Sequence, residues 1–387
     1  MHLIPVSNNI LKKKFLEMPA LIYKNDPHYI RPLNKDIEEV FDEKKNKAFR
    51  HGEADRWLLL DENDQCIGRI AAFVNKKYKN KGDDQKTGGI GFFECINNPE
   101  AAHMLFDQAK EWLQQRGMEA MDGPINFGER DRWWGLVVEG FKPPIYLMNY
   151  NPPYYKFLFE NYGFRIFFNQ VCWELDVHTT LHEKFSILNK KYEEDPDYSA
   201  RYIRKNEAGK FAHDFSKVYN KAWASHEGNK QMKEDVALKL FQSMKPVMDE
   251  KLIWFVYYKD EPIAFWLNLP ELNQLFRHFN GKFGLIEKLR FLWMKWKGKN
   301  DRFTGIVFGV SPEYQGMGVD YYMIMQGAKV MQQQTGYKVL ELQWQGDFNP
   351  KMLNISKHIG AHQSRLLTTY RYLFDRNKEF KRHPILN

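Results

Sequence analysis

The sequence predicts an α/β (α+β) protein of two tandem domains, each with a mixed central sheet flanked by helices. The first observation behind this prediction is a weak internal repeat, in which the order strand, helix, strand, helix, strand occurs once in each half of the chain. The second is a pair of strands with alternating apolar and polar residues before each copy. The third is a charged stretch at residues 177–197, which divides the chain into expected domains at residues 1–178 and 179–387.

The two copies of the repeat end alike. Residues 151–176 and 349–375 each read as a turn, a short amphipathic helix, a glycine after the helix and a β-strand. Further upstream, Asn98-Pro-Glu matches Ser311-Pro-Glu, and a helix follows each. The first copy differs by carrying extra residues around 123–148.

A pair of strands precedes each copy. Residues 57–61 and 66–75 form the first pair, and residues 252–258 and 262–269 form the second. Both pairs alternate apolar and polar positions across a short turn, which is typical of β-hairpins. Each domain is therefore expected to begin its sheet with a hairpin.

The composition indicates a globular protein rather than a disordered chain or an integral membrane protein. Hydrophobic residues make up 43% and charged residues 27% of the 387 positions. No apolar run approaches the roughly 20 residues of a spanning helix, and the start lacks the pattern of a secretory signal, so we expect the cytoplasm. Cys66, Cys95 and Cys172 have no metal-ligand spacing, so we expect structural thiols and no metal.

One segment of the second half has the composition of a phosphate-binding turn. A strand at residues 305–310 runs into Ser311 and then into Gly316 and Gly318, and a helix follows at Tyr321. Glycines between a strand and a helix let backbone N–H groups converge on one point, where the helix dipole adds positive potential. A diphosphate fits such a place, whereas a plain tight turn is the competing interpretation.

The string Val-x-Pro-x-Tyr-Gln-Gly-x-Gly at residues 310–318 resembles the GCN5-related N-acetyltransferase (GNAT) superfamily, whose signature is Arg/Gln-x-x-Gly-x-Gly/Ala. Asp320 at the sixth position departs from this signature, which leaves open whether the acyl carrier is coenzyme A or an acyl carrier protein. The resemblance implies acyl-CoA as co-substrate, held by Val310, Gln315, Gly316, Met317, Gly318, Val319, Asp320 and, in a later element of the family pattern, Asn349.

Several longer strings resemble a bacterial tandem-domain subfamily that is similar to bacterial ceramide synthases. These strings are Gly123-Pro-Ile-Asn, Trp134-Gly-Leu-Val-Val-Glu-Gly-Phe, Tyr150-Asn-Pro-Pro-Tyr-Tyr, Val218-Tyr-Asn-Lys-Ala-Trp and Leu269-Pro-Glu-Leu-Asn. The resemblance implies transfer of an acyl group from acyl-CoA to the amine of a sphingoid base. It also implies that the first half is a copy without the carrier site, because it keeps only the later element, at Asn151 and Gly163-Phe164.

Transfer from a thioester to an amine needs an oxyanion donor near Val310 and groups that move protons. We expect the proton carriers on the strands and turns after the glycine turn, at Glu341, Asp347, Tyr370 and Tyr372. The loop at residues 123–140 is the expected wall of the acceptor pocket. His226, beside Glu227, is a further candidate for the acceptor site. The expected acceptor-site residues are thus Asn126, Glu129, Trp133, Trp134 and His226. Each position also has a structural interpretation. Glu341 could lie on a solvated strand face, Tyr370 and Tyr372 in the core, Asp347 in a turn, and His226 at the end of a helix.

The segment at residues 271–300 interleaves aromatic and basic side chains. Its seven Lys and Arg residues outnumber Glu271 and Glu287 and give a net charge of +5. This pattern is typical of a surface that contacts anionic lipid, so a peripheral membrane contact is one interpretation and a flap packed on the first domain is another. Nucleic acid is not expected, because no second basic face accompanies this segment.

Two other functions remain open from the sequence. The tandem architecture also resembles Fem-type transferases, which take an aminoacyl group from a charged tRNA and need no diphosphate-binding turn. A catalytically silent acyl-CoA-binding or lipid-binding protein is the second, with Asp320 as the sign of a lost activity.

Overall fold

The computed structural model describes residues 1–80, 82–223 and 231–385. Within these residues, thirteen strands form one mixed sheet. The strands are β1 His2–Pro5, β2 Gly52–Leu60, β3 Cys66–Asn75, β4 Thr87–Cys95, β5 Ala120–Gly123, β6 Leu136–Glu139, β7 Arg165–Asp176, β8 Tyr198–Tyr202, β9 Ile253–Tyr258, β10 Glu261–Pro270, β11 Arg302–Val310, β12 Val339–Gly346 and β13 His362–Leu373.

Helices cover both faces of this sheet. They are α1 Asn9–Glu17, α2 Pro19–Ile22, α3 Asn34–Val40, α4 Pro99–Gln114, α5 Tyr155–Tyr162, α6 Glu183–Glu193, α7 Ala208–Trp223, α8 Glu234–Met244, α9 Asn273–Phe276, α10 Leu285–Trp296, α11 Val319–Gln334 and α12 Pro350–His358. No helix in the described part of the chain combines the length and the apolar character needed to span a membrane.

The last strands of the two halves change places. The sheet order is β1-β2-β3-β4-β5-β13-β7-β12-β11-β10-β9-β8, with β6 paired to β13. Strand β13 from the end of the chain pairs with β5 of the first half, and β7 of the first half pairs with β12 of the second. Each half therefore completes the sheet of the other.

Each half has its own core on each side of the sheet. In the first half, Leu105 and Phe106 of α4 are fully buried on one face, and Trp133 and Trp134 of the long loop are buried on the other. In the second half, α11 packs on one face, while α7 and α8 pack on the opposite face of β9 and β10. The two halves have equivalent layers of helix, sheet and helix or loop.

The predicted fold class is confirmed, and the hairpins β2–β3 and β9–β10 lie where the alternating pattern predicts them. Helix α11 begins at Val319, slightly earlier than Tyr321. The charged stretch at residues 177–197 contains helix α6, which the sequence analysis did not predict. The division at residue 178 stays a prediction.

Candidate functional site

The two parallel strands beside the glycine turn separate from one another partway along their length. Strands β11 and β12 pair with each other only over residues 302–305 and 339–342. Beyond Gly305, β11 stays paired with β10 as far as Val310, while β12 stays paired with β7 as far as Gly346. The divergence leaves a gap inside the second-half sheet, at the end where β11 runs into the turn.

Exposed apolar side chains lie on the elements that border this gap. Ile306 is 43% exposed, although β11 is an inner strand of a sheet covered on both faces. Met317 in the turn and Met352 and Ile355 on α12 are also exposed. Exposed apolar groups beside the diverging strands suit contact with an apolar ligand chain.

The turn between β11 and α11 depends on its glycines. A short 3-10 turn at Pro312–Tyr314 leads to Gly316 at φ +74° and Gly318 at φ +89°. Glycine adopts such positive φ values without the strain that a side chain adds. The Gln315 side-chain amide donates to the Val310 carbonyl at 3.0 Å, which ties the turn back to the end of the strand.

Several amides at the start of α11 are free to bind an anion. The first hydrogen bond of the helix runs from the Tyr322 N–H to the Gly318 carbonyl. The N–H groups of Gly316, Gly318 and Val319 have no acceptor among the described residues. A Cβ atom built on Gly316 would meet nothing within 4 Å, so this side of the turn is open. Three free N–H groups at the N-terminus of a helix form a site for phosphate oxygens.

Asp320 restricts the same site. Its carboxyl lies in the first turn of α11, and burial raises the pKa of that carboxyl. A carboxylate there competes with a diphosphate for the positive potential of the helix start. The position that departs from the GNAT signature therefore places a negative charge beside the three free N–H groups.

Helix α6 covers the other side of the turn. The Tyr192 hydroxyl donates to the Met317 carbonyl at 2.7 Å, and the Leu188 side chain lies 2.7 Å from a Cβ atom built on Gly318. Sequence analysis missed both residues. The spacing of Phe185, Leu188 and Tyr192 at i, i+3 and i+7 is the signal that could have found this helix face.

Glu341, a predicted proton carrier, lies in a buried ion-pair network. It is 2% exposed and binds Arg365 at 2.5 Å and Arg302 at 2.8 Å. Arg302 also pairs with Glu174 on β7. Both carboxylate oxygens of Glu341 are therefore engaged by guanidinium groups, so neither oxygen is free to contact a substrate.

Asp347 and Asn349 lie in the turn after β12, as expected from the sequence. The Asp347 carboxylate accepts a hydrogen bond from Arg382 at 2.6 Å. The Asn349 side chain accepts from the Met352 N–H at 3.3 Å and caps α12. In this structure both side chains have local partners at the edge of the gap.

Tyr370 and Tyr372 lie away from the gap. Both rings pack in the first-half core, where the Tyr370 hydroxyl donates to Glu160 at 2.9 Å. Strands β7 and β12 separate their strand β13 from β11. The expected position of these tyrosines beside the gap is therefore wrong, because β13 pairs with β5, β6 and β7 rather than with the strands at the gap.

Most of the residues predicted to line the acceptor pocket are buried in the hydrophobic core. Asn126, Trp133 and Trp134 are buried, whereas Glu129 is exposed. Their loop nevertheless reaches the second half, since the Trp344 indole on β12 donates to the carbonyl of Arg130 at 3.2 Å.

Two further predictions concern residues outside the loop. His226 and Glu227 lie outside the described residues. Cys66, Cys95 and Cys172 are unpaired, and burial raises the pKa of each thiol. Among the residues that the structure describes, no group of three or more His, Cys, Asp or Glu side chains is arranged to hold a metal ion.

The matching turn in the first half is closed. The Asn98 side chain accepts from the N–H groups of Glu100 and Ala101 and caps α4. The Cys95 N–H at the end of β4 donates to the Tyr155 hydroxyl, which in turn donates to Glu94. Side chains thus bind backbone donors at the start of α4, whereas no side chain caps the start of α11.

The order of elements, the divergence of β11 from β12 and the glycine turn define a tandem GNAT-fold protein. The chain is 25% identical over 380 residues to the bacterial ceramide synthase of Caulobacter vibrioides, covering 96% of this chain and 97% of that one. It is 23% identical over 369 residues to Protein YghO of Escherichia coli, covering 92% of each.

Solved structures share the fold at low sequence identity. The tandem GNAT protein from the clavulanic acid biosynthesis pathway aligns over 97% of this chain and 99% of its own, with a TM-score of 0.54 and 10% identity. A GCN5-related N-acetyltransferase from Sphaerobacter thermophilus aligns over 98% of both chains, with a TM-score of 0.51 and 10% identity. No family model matches the chain. The resemblance drawn from the sequence motifs is confirmed by these similarities.

Proposed function

We propose that this protein transfers an acyl group from acyl-CoA to the amine of a long-chain acceptor, of which a sphingoid base is the model. The observation that carries the proposal is the open turn at Gly316–Val319, where free N–H groups adjoin a gap with an apolar border. The similarity to a bacterial ceramide synthase over almost the whole chain supports a lipid amine as the acceptor class.

In the proposed reaction the chain binds and orients two substrates. The N–H groups of Gly316, Gly318 and Val319 bind the diphosphate, and the pantetheine arm runs along the gap past Ile306. The acceptor nitrogen attacks the thioester carbonyl, the C–N bond forms, and the C–S bond breaks. The thiolate leaves with the proton that the amine gives up, so the products are an amide and free coenzyme A, and no enzyme-bound acyl group is needed.

A pair of variants at Gly316 tests the carrier site. A side chain at the positive φ of Gly316 adds backbone strain, but Asp and Asn tolerate this conformation best and the space is open, so both variants should fold and share the same strain. Gly316→Asp adds a negative charge to the anion site, whereas Gly316→Asn adds nearly the same volume without the charge. We expect the Asp variant to bind acyl-CoA at least about tenfold more weakly than the Asn variant, by calorimetric titration, because ~1.4 kcal/mol of charge repulsion gives that factor.

The acceptor is tested by product analysis. Purified protein with long-chain acyl-CoA should give an N-acyl product with a sphingoid base and none with a short amine of the same head group. Release of free coenzyme A that does not depend on any long-chain amine would contradict the acceptor class. Equal acyl-CoA binding by the two Gly316 variants would contradict the carrier site itself.

Two rival functions give different results in the same assays. A transferase that uses charged tRNA needs no diphosphate at this turn, so the Gly316→Asp variant would keep its full activity. A binding protein without activity would hold acyl-CoA tightly and release no coenzyme A with any amine tested.

A further inference from the structure

One helix of the insertion between β10 and β11 exposes an unusually apolar surface. Helix α10 carries six large apolar side chains that are at least half exposed, whereas most of the other exposed apolar side chains are scattered singly. They are Leu285, Ile286, Leu289, Leu292, Trp293 and Trp296. The exposed fraction reaches 77% at Ile286 and Trp296.

These six side chains share one face of α10. At 3.6 residues per turn they fall within an arc of about 120°, the width of the apolar stripe by which a helix normally packs on a core. The opposite face is the one that packs on the protein, because Phe291 and Met294 are buried with Leu275 and Phe276 of α9. The helix is therefore attached by one side and presents a second apolar side outward.

Basic side chains border the exposed stripe on both sides. Lys288 and Lys295 follow one edge in the helical projection, and Arg290 and Lys297 follow the other. Lys295 is partly fixed, since it donates to the carbonyls of Pro246 and Met248. Glu287 is the single acidic residue of the helix, and its carboxylate is held by the Gly284 N–H.

We propose that the exposed face of α10 inserts into the headgroup region of an anionic lipid bilayer. An apolar stripe bounded by Lys and Arg matches such a surface, because the stripe enters the acyl boundary while the cations stay at the phosphate level. The Trp293 and Trp296 rings suit the interface between the two. The net charge of +5 over residues 271–300 adds a long-range attraction to anionic lipid.

Two other occupants fit less well. An acyl carrier protein is acidic and could bind the basic residues, but it must deliver its pantetheine arm to the glycine turn. Helix α10 precedes the first residue of β11, whereas the glycine turn follows its last residue. The nine residues of that strand span about 30 Å. A second copy of this chain would bring the basic edges of two α10 helices together, which like charges oppose.

The inference is tested with the full chain and vesicles, without any acyl donor or acceptor, so its outcome is independent of the proposed activity. The wild type should sediment with vesicles of phosphatidylcholine and phosphatidylglycerol, less with phosphatidylcholine alone, and less at high salt. Leu289→Glu and Trp296→Glu should each lower the partition coefficient at least about tenfold. Both side chains are exposed, so the thermal unfolding midpoint should not change.

A matched control is Ile10→Glu, which adds the same charge at a side chain that is 72% exposed on α1. It should leave vesicle binding at the wild-type level. The proposal is overturned if the wild type does not bind anionic vesicles, or if Ile10→Glu lowers binding as much as Leu289→Glu does. It is equally overturned if Trp296→Glu abolishes self-association or binding to an acyl carrier protein while leaving vesicle binding unchanged.

Discussion

The two halves of this chain repeat one strand-to-helix turn with opposite results. In the first half, β4 leads to α4 through Asn98, whose side chain binds the helix N–H groups, and Tyr155 binds the N–H of Cys95. In the second half, β11 leads to α11 through Gly316 and Gly318, and the N–H groups there stay free. A capping side chain makes a stable helix start, whereas a glycine turn leaves backbone donors available for a ligand.

The end of β4 in the first half carries a buried polar cluster. A cavity of about 60 Å³ there is lined among others by Glu94, Pro124 and Tyr155. Burial raises the pKa of Glu94, which accepts from Tyr155 and Tyr23 and pairs with Arg69. The polar groups beside the first turn thus bind one another, whereas the N–H groups of Gly316, Gly318 and Val319 have no acceptor among the described residues.

The largest expected effect concerns the ion pairs that join the halves. Arg365 comes from β13, which extends the first-half sheet, and it binds Glu341 in the second half with both side chains 3% exposed. Arg365→Met should lower the free energy of unfolding by about 3 kcal/mol or more, because it leaves a buried carboxylate with one partner fewer. Denaturant titration measures this. Arg382→Ala, which breaks the more exposed pair with Asp347, should cost less than about 1 kcal/mol. An equal loss of stability in both variants would contradict the claim that the buried Arg365–Glu341 pair holds the two halves together.

Glu271 gives a comparable effect that depends on pH. It starts the insertion that the first half lacks, and it accepts from the Tyr146 N–H of the first half. Burial, with a smaller effect from Glu341, raises its pKa from 4.5 to about 7. The folded state binds the proton more tightly than the unfolded state, so the free energy of unfolding should fall by about 3 kcal/mol as pH rises from about 4.5 to 7.

Glu271→Gln removes this titration but keeps acceptors for Tyr146 and Asn273 and a polar partner for Thr304. The variant should be more stable than the wild type above pH 7 and should match it near pH 4.5. Denaturant midpoints across this range measure the difference. A wild type and a variant with parallel pH profiles would show that Glu271 does not carry the dependence.

Asp320 sharpens the comparison at the open turn. Its carboxylate lies in the first turn of α11, next to the free N–H groups of the glycine turn. Asp320→Ala restores the GNAT signature and removes a charge beside the diphosphate, so coenzyme A should bind about tenfold more tightly, ~1.4 kcal/mol. Calorimetric titration measures the affinity. Weaker binding would mean that the carboxylate helps to order the turn rather than competing with the ligand.

The smallest effect is expected at the closed turn. Asn98→Ala removes a helix cap and should cost about 1 kcal/mol of stability. It should leave the affinity for acyl-CoA unchanged, because the proposed carrier site lies in the second half. Thermal unfolding and acyl-CoA titration of the same sample test both statements. Asn8→Ala, which removes the cap of α1, is the control. A loss of affinity in Asn98→Ala that is larger than the loss in Asn8→Ala would place part of the carrier site in the first half.

Much of the fold follows from local pattern. The alternation at residues 66–75 predicted strand β3, and the glycine turn predicted the start of α11 closely. The exchange of β7 and β13 could not be predicted, because an alternating strand records which face is buried and not which neighbour it pairs with. The position of Tyr370 was missed for that reason.

The candidate site was predictable where backbone conformation requires glycine and was not predictable where side chains act. Gly316 and Gly318 carry positive φ values that the motif anticipates. The partners of Glu341 come from β13 and β11, and the cover over the turn comes from α6, so they depend on contacts between distant parts of the chain. A single sequence carries no direct record of such contacts.

Hydrogen exchange at the two turns tests the central claim most directly. Adding long-chain acyl-CoA should slow exchange of the amides at residues 316–319 and leave residues 95–101 unchanged, because side chains already bind the N–H groups of Cys95, Glu100 and Ala101 at the first turn. The account is contradicted if residues 316–319 exchange at the same rate with and without acyl-CoA, or if the protection appears at the first turn instead.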